Sequence, residues 1–326
     1  MSRRRDAIWI TWERHRRTRS LVDRLGIPLF EYVSRTRRLV RHPAFVLRSV
    51  VALVKQRPRV LVIQSPSVVL NLLAILLRPL FGYRLVVDAH NAGVYSCEAG
   101  TDRLAWLYPH LHRSQTLTLV SNPELAEIVA QNGGRALVLI DPLPELPTAV
   151  APAAVDPKKV AYICTFAGDE PFNEVIRAAA LLPPGVTVHI TGNVEANRLK
   201  LAADRPPNVT FTGFLPEADF VQLLATSAVI VDLTLLADCL VCGAYEGTVL
   251  GTPLVLSDTP ANRSTFALGA VFCRNEAADI AAAITRALAD NAELRAQMTE
   301  SRARLTEIFD RQFERFRELI GLETVR

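Results

Sequence analysis

Residues 238–253 read DCLVCGAYEGTVLGTP and lie between two apolar, strand-like runs. Asp238 and Glu246 stand at either end of a seven-residue spacer, with Gly243 three places before the second acid. After Glu246 come a short helical segment, Gly251-Thr252-Pro253, and the strand-like Leu254-Val255-Leu256. A loop turning into a helix here aims backbone N–H groups near Gly243 and Ala244 outward at the carboxyl edge of a sheet, a geometry that binds phosphate. A carboxylate in the first turn, Glu246, suits the paired hydroxyls of a ribose or a sugar. The stretch therefore points to a nucleotide-sugar site on an α/β sheet.

Outward from this segment the chain alternates strand-like and helix-like runs, the mark of parallel sheets covered on both faces. Strands are predicted at Ala7–Trp12, Leu29–Tyr32, Val60–Gln64, Leu85–Asp88, Leu117–Ser121 and Ala136–Ile140. A second series runs Val160–Thr165, Thr187–Thr191, Val209–Thr212, Val229–Leu233, Leu254–Ser257 and Ala270–Cys273. Between the two series, residues 141–157 hold five prolines and no periodicity, as a linker does. The expected division is an N-terminal Rossmann-like domain over 1–145, a linker over 146–157 and a second Rossmann-like domain over 158–305. A closing helix occupies 306–326.

On these residues the chain resembles family 4 and related GT-B glycosyltransferases, whose E-x7-E segment matches 238–246 with Asp238 in the first acid's place. The resemblance implies two doubly wound α/β domains facing across a cleft, with a last helix crossing back to the first domain. It implies an acceptor-binding first domain and a second domain that binds a nucleoside-diphosphate sugar. Asp238 would face the donor sugar and Glu246 the ribose, with Gly243, Ala244, Gly247 and Thr248 completing the donor site. Asn193, after Gly192, would approach the base. Val86 to Gly93, VVDAHNAG, resembles the His-bearing segment beside the donor sugar, with His90 contacting a sugar hydroxyl and Asp88 orienting the ring.

The resemblance, which places acceptor sites after the first strand, implies two further groups. Glu13 and His15, just after the first strand, are candidates to take the acceptor hydroxyl's proton, while Arg16 and Arg17 could meet a pyrophosphate. Ser65, closing the third strand, is a candidate to line the acceptor pocket. The chain departs from the family pattern at two places. No glycine precedes Gly26, and Thr165–Pro171 (TFAGDEP) carries acids where the family has an Arg/Lys pair for the diphosphate. Either Arg177, Arg198, Lys200 or Arg263 replaces that pair, or the helix start near Ala244 holds the phosphates alone, or donor binding has been lost.

Charge is uneven. Residues 1–60 carry 16 Lys/Arg and 4 Asp/Glu, a net of +12, against +4 for the whole chain. Such a face attracts lipid headgroups, a lipid-linked pyrophosphate or nucleic acid. No zinc-finger, helix-turn-helix or RNA-binding motif accompanies it, so nucleic acid is not expected. Arg35–Lys55 interleaves arginines with apolar residues and could lie on a membrane surface. The longest apolar run, Val68–Leu77, is too short to span a bilayer and suits a buried helix. Five scattered cysteines and an opening MSRRRD without a signal-peptide pattern fit a cytoplasmic chain. Cys239-x-x-Cys242 lacks the second cluster a zinc site needs, and His110 and His112 read as surface residues, so neither metal nor cofactor is expected.

The expectation is an enzyme that transfers sugar from a nucleoside-diphosphate donor to a lipid-linked or polysaccharide acceptor at the cytoplasmic membrane face. The alternatives are a catalytically silent scaffold of the same fold, or a nucleotide-sugar epimerase or hydrolase. The base, the sugar and the stereochemical course are not legible.

Overall fold

The computed structural model describes residues 5–34, 36, 38–95, 102–147, 154–197 and 205–322. Contacts divide the chain into two compact units, one of residues 1–142 with 308–326 and one of residues 143–307.

The first unit runs β1 (Ala7–Thr11), α1 (Arg16–Leu25), β2 (Leu29–Glu31), α2 (Arg38–Gln56), β3 (Val60–Ser65), α3 (Val68–Phe81), β4 (Arg84–Ala89) and α4 (Asn91–Val94). A 3-10 turn at Asp102–Leu107 leads into α5 (Tyr108–Ser114), β5 (Leu117–Val120), α6 (Pro123–Gln131) and β6 (Ala136–Val138). Its six strands are ordered β2-β1-β3-β4-β5-β6 and all pair in parallel. Strands such as β1 and β3 are buried along their whole length, because helices cover both faces of a parallel sheet.

The second unit runs β7 (Asp156–Tyr162), α7 (Phe172–Ala179), β8 (Thr187–Thr191), α8 (Val194–Asn197), β9 (Val209–Gly213), α9 (Glu217–Thr226), β10 (Ser227–Asp232) and α10 (Cys242–Leu250). It continues with β11 (Leu254–Ser257), α11 (Pro260–Thr265), β12 (Ala270–Cys273), α12 (Ala277–Ala289) and the start of α13 (Asn291–Ile320), whose residues from 308 onward belong to the first unit. This sheet is ordered β12-β11-β10-β7-β8-β9, again wholly parallel. The α/β class, with two doubly wound parallel sheets, is as the sequence leads one to expect.

Each sheet has one topological switch point, where successive connections depart to opposite sides. In the first unit it lies between β1 and β3, and in the second between β7 and β10. The crevice outside the carboxyl ends of such a strand pair is where open α/β sheets bind ligands.

Two local expectations fail. The run opening at Val68 is not a buried helix. It continues through Pro79 to Phe81, and its outer face leaves Leu72, Leu76 and Leu80 at 44, 76 and 76% exposure. Hydrophobicity alone carries no record of which side meets the sheet. His112 is not a surface residue, since α5 turns it inward to 1% exposure while His110 stays outside. Burial lowers the His112 pKa to about 4, and a hydrogen bond with Gly93 only partly offsets that.

Candidate active site

At the first switch point, the end of β1 and the start of α1 meet the ends of β3 and β4. Thr11 and Thr18 both donate hydroxyl hydrogen bonds to the buried Oε1 of Gln64, at 2.9 and 2.8 Å, fixing the β1–α1 turn to β3. Over this floor lies a cavity of about 300 Å³ whose lining includes Trp12, Glu13, Arg41, Gln64, Ser67 and Tyr108. Trp12 is set by its Nε1–H donating to Ser49 at 3.1 Å and by the Phe45 ring 5.7 Å away. An aromatic wall carrying a few converging polar groups is the usual form of a small-ligand site.

His15 and His90 cap α1 and α4 respectively, and their ring centroids are 4.7 Å apart. His15 Nδ1 and His90 Nε2 are buried with no hydrogen-bond partner among the described residues. Burial lowers the His15 pKa below its ordinary 6.5, and His90 adds to that, so the ring is predominantly neutral near pH 7. Asp88 and Asp141 pull weakly the other way.

Several expected residues are committed elsewhere. Arg17 does not face a pyrophosphate. It is 3% exposed, its Nε donates to both Asp88 oxygens at 3.0 and 3.2 Å, and its Nη atoms reach Asp141 and the Leu139 carbonyl. Burial alone would lower the Arg17 pKa, but its two carboxylate partners raise it. Burial would likewise raise Asp141, yet the Arg17 guanidinium holds it below the usual carboxylate range. Asp88, spent on this pairing and 1% exposed, is neither a general base nor the group that orients His90. Ser65 lies beneath α4, where a Cβ on Gly93 would come within 2.7 Å of it, and accepts from Asn71. Pro66 and Ser67, not Ser65, line the cavity. Glu13 lines it too, while Arg16 stays on the surface.

At the second switch point β10 ends in Asp232, which lies inside the strand predicted at Val229–Leu233. Its Oδ2 accepts the Gly243 N–H at 2.8 Å. A Cβ on Gly243 would sit 2.6 Å from that oxygen and 2.2 Å from Ile163, so the approach requires glycine. Burial pushes the Asp232 carboxyl well above the usual range against the pull of that N–H, and Glu170, Glu246 and Asp169 push the same way.

The donors expected to point outward are therefore turned inward. The Gly243 N–H goes to Asp232, and the Ala244 N–H to the Val241 carbonyl at 3.3 Å. Thr248 donates back to the Ala244 carbonyl at 2.8 Å and is 1% exposed. Gly247 packs against the sheet, where a Cβ would be 2.5 Å from Leu254. These four residues build α10 and bring its start against β10. Asp238 and Glu246 keep half-buried side chains at this edge.

Glu170 explains the acids that follow β7. Its carboxylate folds back onto the loop, accepting the N–H groups of Thr165 and Ala167 at 2.9 Å each and the Thr165 hydroxyl at 2.8 Å. Phe166 between them has a φ of +61°, which turns successive N–H groups to one side, as in an anion-binding nest. The nest here holds the chain's own carboxylate. Spacing could not reveal this, because it depends on the left-handed turn at a non-glycine residue.

The replacement cations are likewise placed. Arg177 pairs with Glu174 and lines a recess with Val186 and Asn208, at the opposite edge of the sheet. Arg263 pairs with Asp258 after β11. Arg198 and Lys200 lie outside the described residues. Asn193 is exposed, and its side-chain oxygen accepts the Ala196 N–H at 3.1 Å.

Two parallel six-stranded sheets in this order, each with its polar residues at the switch point, define the GT-B class. Residues 149–304 match the family model for Glycosyl transferases group 1. HepE of Anabaena, solved with UDP and glucose, is similar in fold at a TM-score of 0.71 and 14% identity, over 97% of this chain and 99% of its own. Sucrose-phosphate synthase of Thermosynechococcus elongatus is similar at a TM-score of 0.74 and 15% identity, over 98% and 100%. A glycosyltransferase of Rickettsia africae is similar at a TM-score of 0.70 and 11% identity, over 98% and 100%. No protein of curated function matches the chain in sequence.

Proposed function

We propose that the protein transfers a sugar from a nucleoside-diphosphate sugar to a lipid-linked or polysaccharide acceptor at the cytoplasmic face of the membrane, without a resident metal. The observation that carries this reading is the pair of half-buried acids, Asp238 and Glu246, at the β7/β10 switch point of the family-matched half. Glu246 holds the ribose and Asp238 the sugar hydroxyls. His90 contacts the donor sugar, and His15, held predominantly neutral, accepts the proton of the incoming hydroxyl. Glu13 lies on the cavity wall where the acceptor enters.

One observation favours a second reading, a silent scaffold of the same fold. The backbone donors best suited to a diphosphate are already occupied by Glu170. A thermal-shift series with UDP, GDP and their sugar conjugates separates the two. Ligand at a hundredfold excess over Kd stabilises by about 2.7 kcal/mol. A shift with one nucleotide, lost in Glu246→Ala, supports transfer and names the base. No shift with any of them supports the scaffold. EDTA should leave turnover unchanged.

A further inference from the structure

Between Glu31 and Asp88 the chain contains ten Lys/Arg and no Asp or Glu over 56 residues. This segment includes α2 and α3, which are in contact. On α2, Leu47, Val51 and Val54 stand at 65, 40 and 50% exposure, spaced four and three apart on one helical face. On α3, Leu72, Leu76 and Leu80 repeat every fourth residue on the exposed face. Arg48 and Lys55 are exposed on α2 among these apolar residues. Exposed apolar residues repeating on two touching helices mark a contact surface.

We infer that the exposed face of α2 and α3 seats on a lipid bilayer with anionic headgroups, an inference that rests on the membrane-face reading above and assigns it a surface. The occupant follows from charge. Two copies of this chain packed isologously would set cation against cation across the seam, whereas an anionic bilayer accepts the leucines at acyl depth and the basic side chains at headgroup level. No helix among the described residues is long and apolar enough to cross a membrane, so the contact is made from one side. The same helix supplies Val68 and Val69 to the wall of the Glu13 cavity. A bilayer on this face therefore brings headgroup level to the mouth of that cavity.

The test is sedimentation of the full chain with sucrose-loaded vesicles of phosphatidylcholine containing phosphatidylglycerol, and of phosphatidylcholine alone. Leu76→Ser/Leu80→Ser and Arg48→Glu/Lys55→Glu are compared with the wild type. All four positions are solvent-exposed, and circular dichroism checks that each variant folds. The wild type is expected to bind the anionic vesicles, more weakly in high salt and on the neutral vesicles, and each variant to lose about tenfold or more. Thermal shift by UDP is expected to stay unchanged in both variants, so failure of the membrane surface and failure of the donor site appear in different signals. Absence of wild-type binding, or binding unchanged in both variants, overturns the inference. So does a lipid-free dimer that Leu76→Ser/Leu80→Ser dissociates.

Discussion

His15 and His90 face one another with ring centroids 4.7 Å apart, although 75 positions separate them in the chain. Each keeps a buried nitrogen without a hydrogen-bond partner among the described residues. Replacing either by Ala is expected to lower kcat/KM about a hundredfold, in the usual range for a general acid or base, with UDP binding retained. Because the His15 pKa is lowered, its neutral form persists below pH 6.5, and turnover should fall on the acid side of that value. Initial rates between pH 5 and 8 test this, and a profile unchanged in His15→Ala would remove His15 from the chemistry.

The Arg17 guanidinium is the buried centre of an ion-pair group with Asp88 and Asp141. Arg17→Leu strands the Asp88 carboxylate in the sheet edge and should destabilise the fold by about 3–5 kcal/mol. Adding Asp88→Leu should recover a large part of the loss. Urea titrations of the single and double variants measure both, and an additive double variant would mean that the two residues act independently.

Glu170 occupies the nest after β7 as an internal anion. Glu170→Ala empties the nest and removes a negative charge, so nucleoside diphosphate should bind several-fold more tightly. The lost hydrogen bonds are expected to cost about 1 kcal/mol of stability, since water replaces them at this exposed loop. Calorimetric titration with UDP reads the affinity. Unchanged affinity would place the diphosphate away from this loop.

His112 gives a pH signature of folding. Its pKa is about 4 in the folded chain against 6.5 unfolded, so the unfolded state binds the proton first as pH falls. Its stabilising contribution is complete above pH 6.5 and is lost progressively between 6.5 and 4, at no more than about 1.4 kcal/mol per pH unit. His112→Gln should reduce that slope, as denaturation midpoints across the range would show.

The close contact of Gly243 with Asp232 predicts that Gly243→Ala shifts the start of α10, because a Cβ there meets Ile163 and the carboxylate. Stability should fall by about 1–3 kcal/mol, as for other overpacked core sites. A variant as stable as the wild type would mean that the α10 start gives way at little cost.

The alternation of short apolar runs with amphipathic segments was enough to reveal both sheets. Parallel strands buried on both faces, such as β10 (SAVIVD) and β3 (VLVIQS), stand out in any reading. In the structure the Asn122 side chain caps α6 by accepting the Leu125 N–H, and Gly251 is left-handed after α10. The outward leucines of α3 did not read, because a helix hydrophobic nearly all round looks the same buried or half-exposed.

The sequence by itself determined the α/β class, the two strand–helix series and which loops lie at the carboxyl edges, since these follow from local periodicity and capping. Only the tertiary structure decided which polar groups are spent on one another. Arg17 is drawn to Asp88 across 71 positions, Gly243 to Asp232 across 11, and Glu170 closes on its own loop. The physical reason is that a buried charge or N–H must find a partner, and that partner is chosen by proximity in space, which spacing along the chain does not encode.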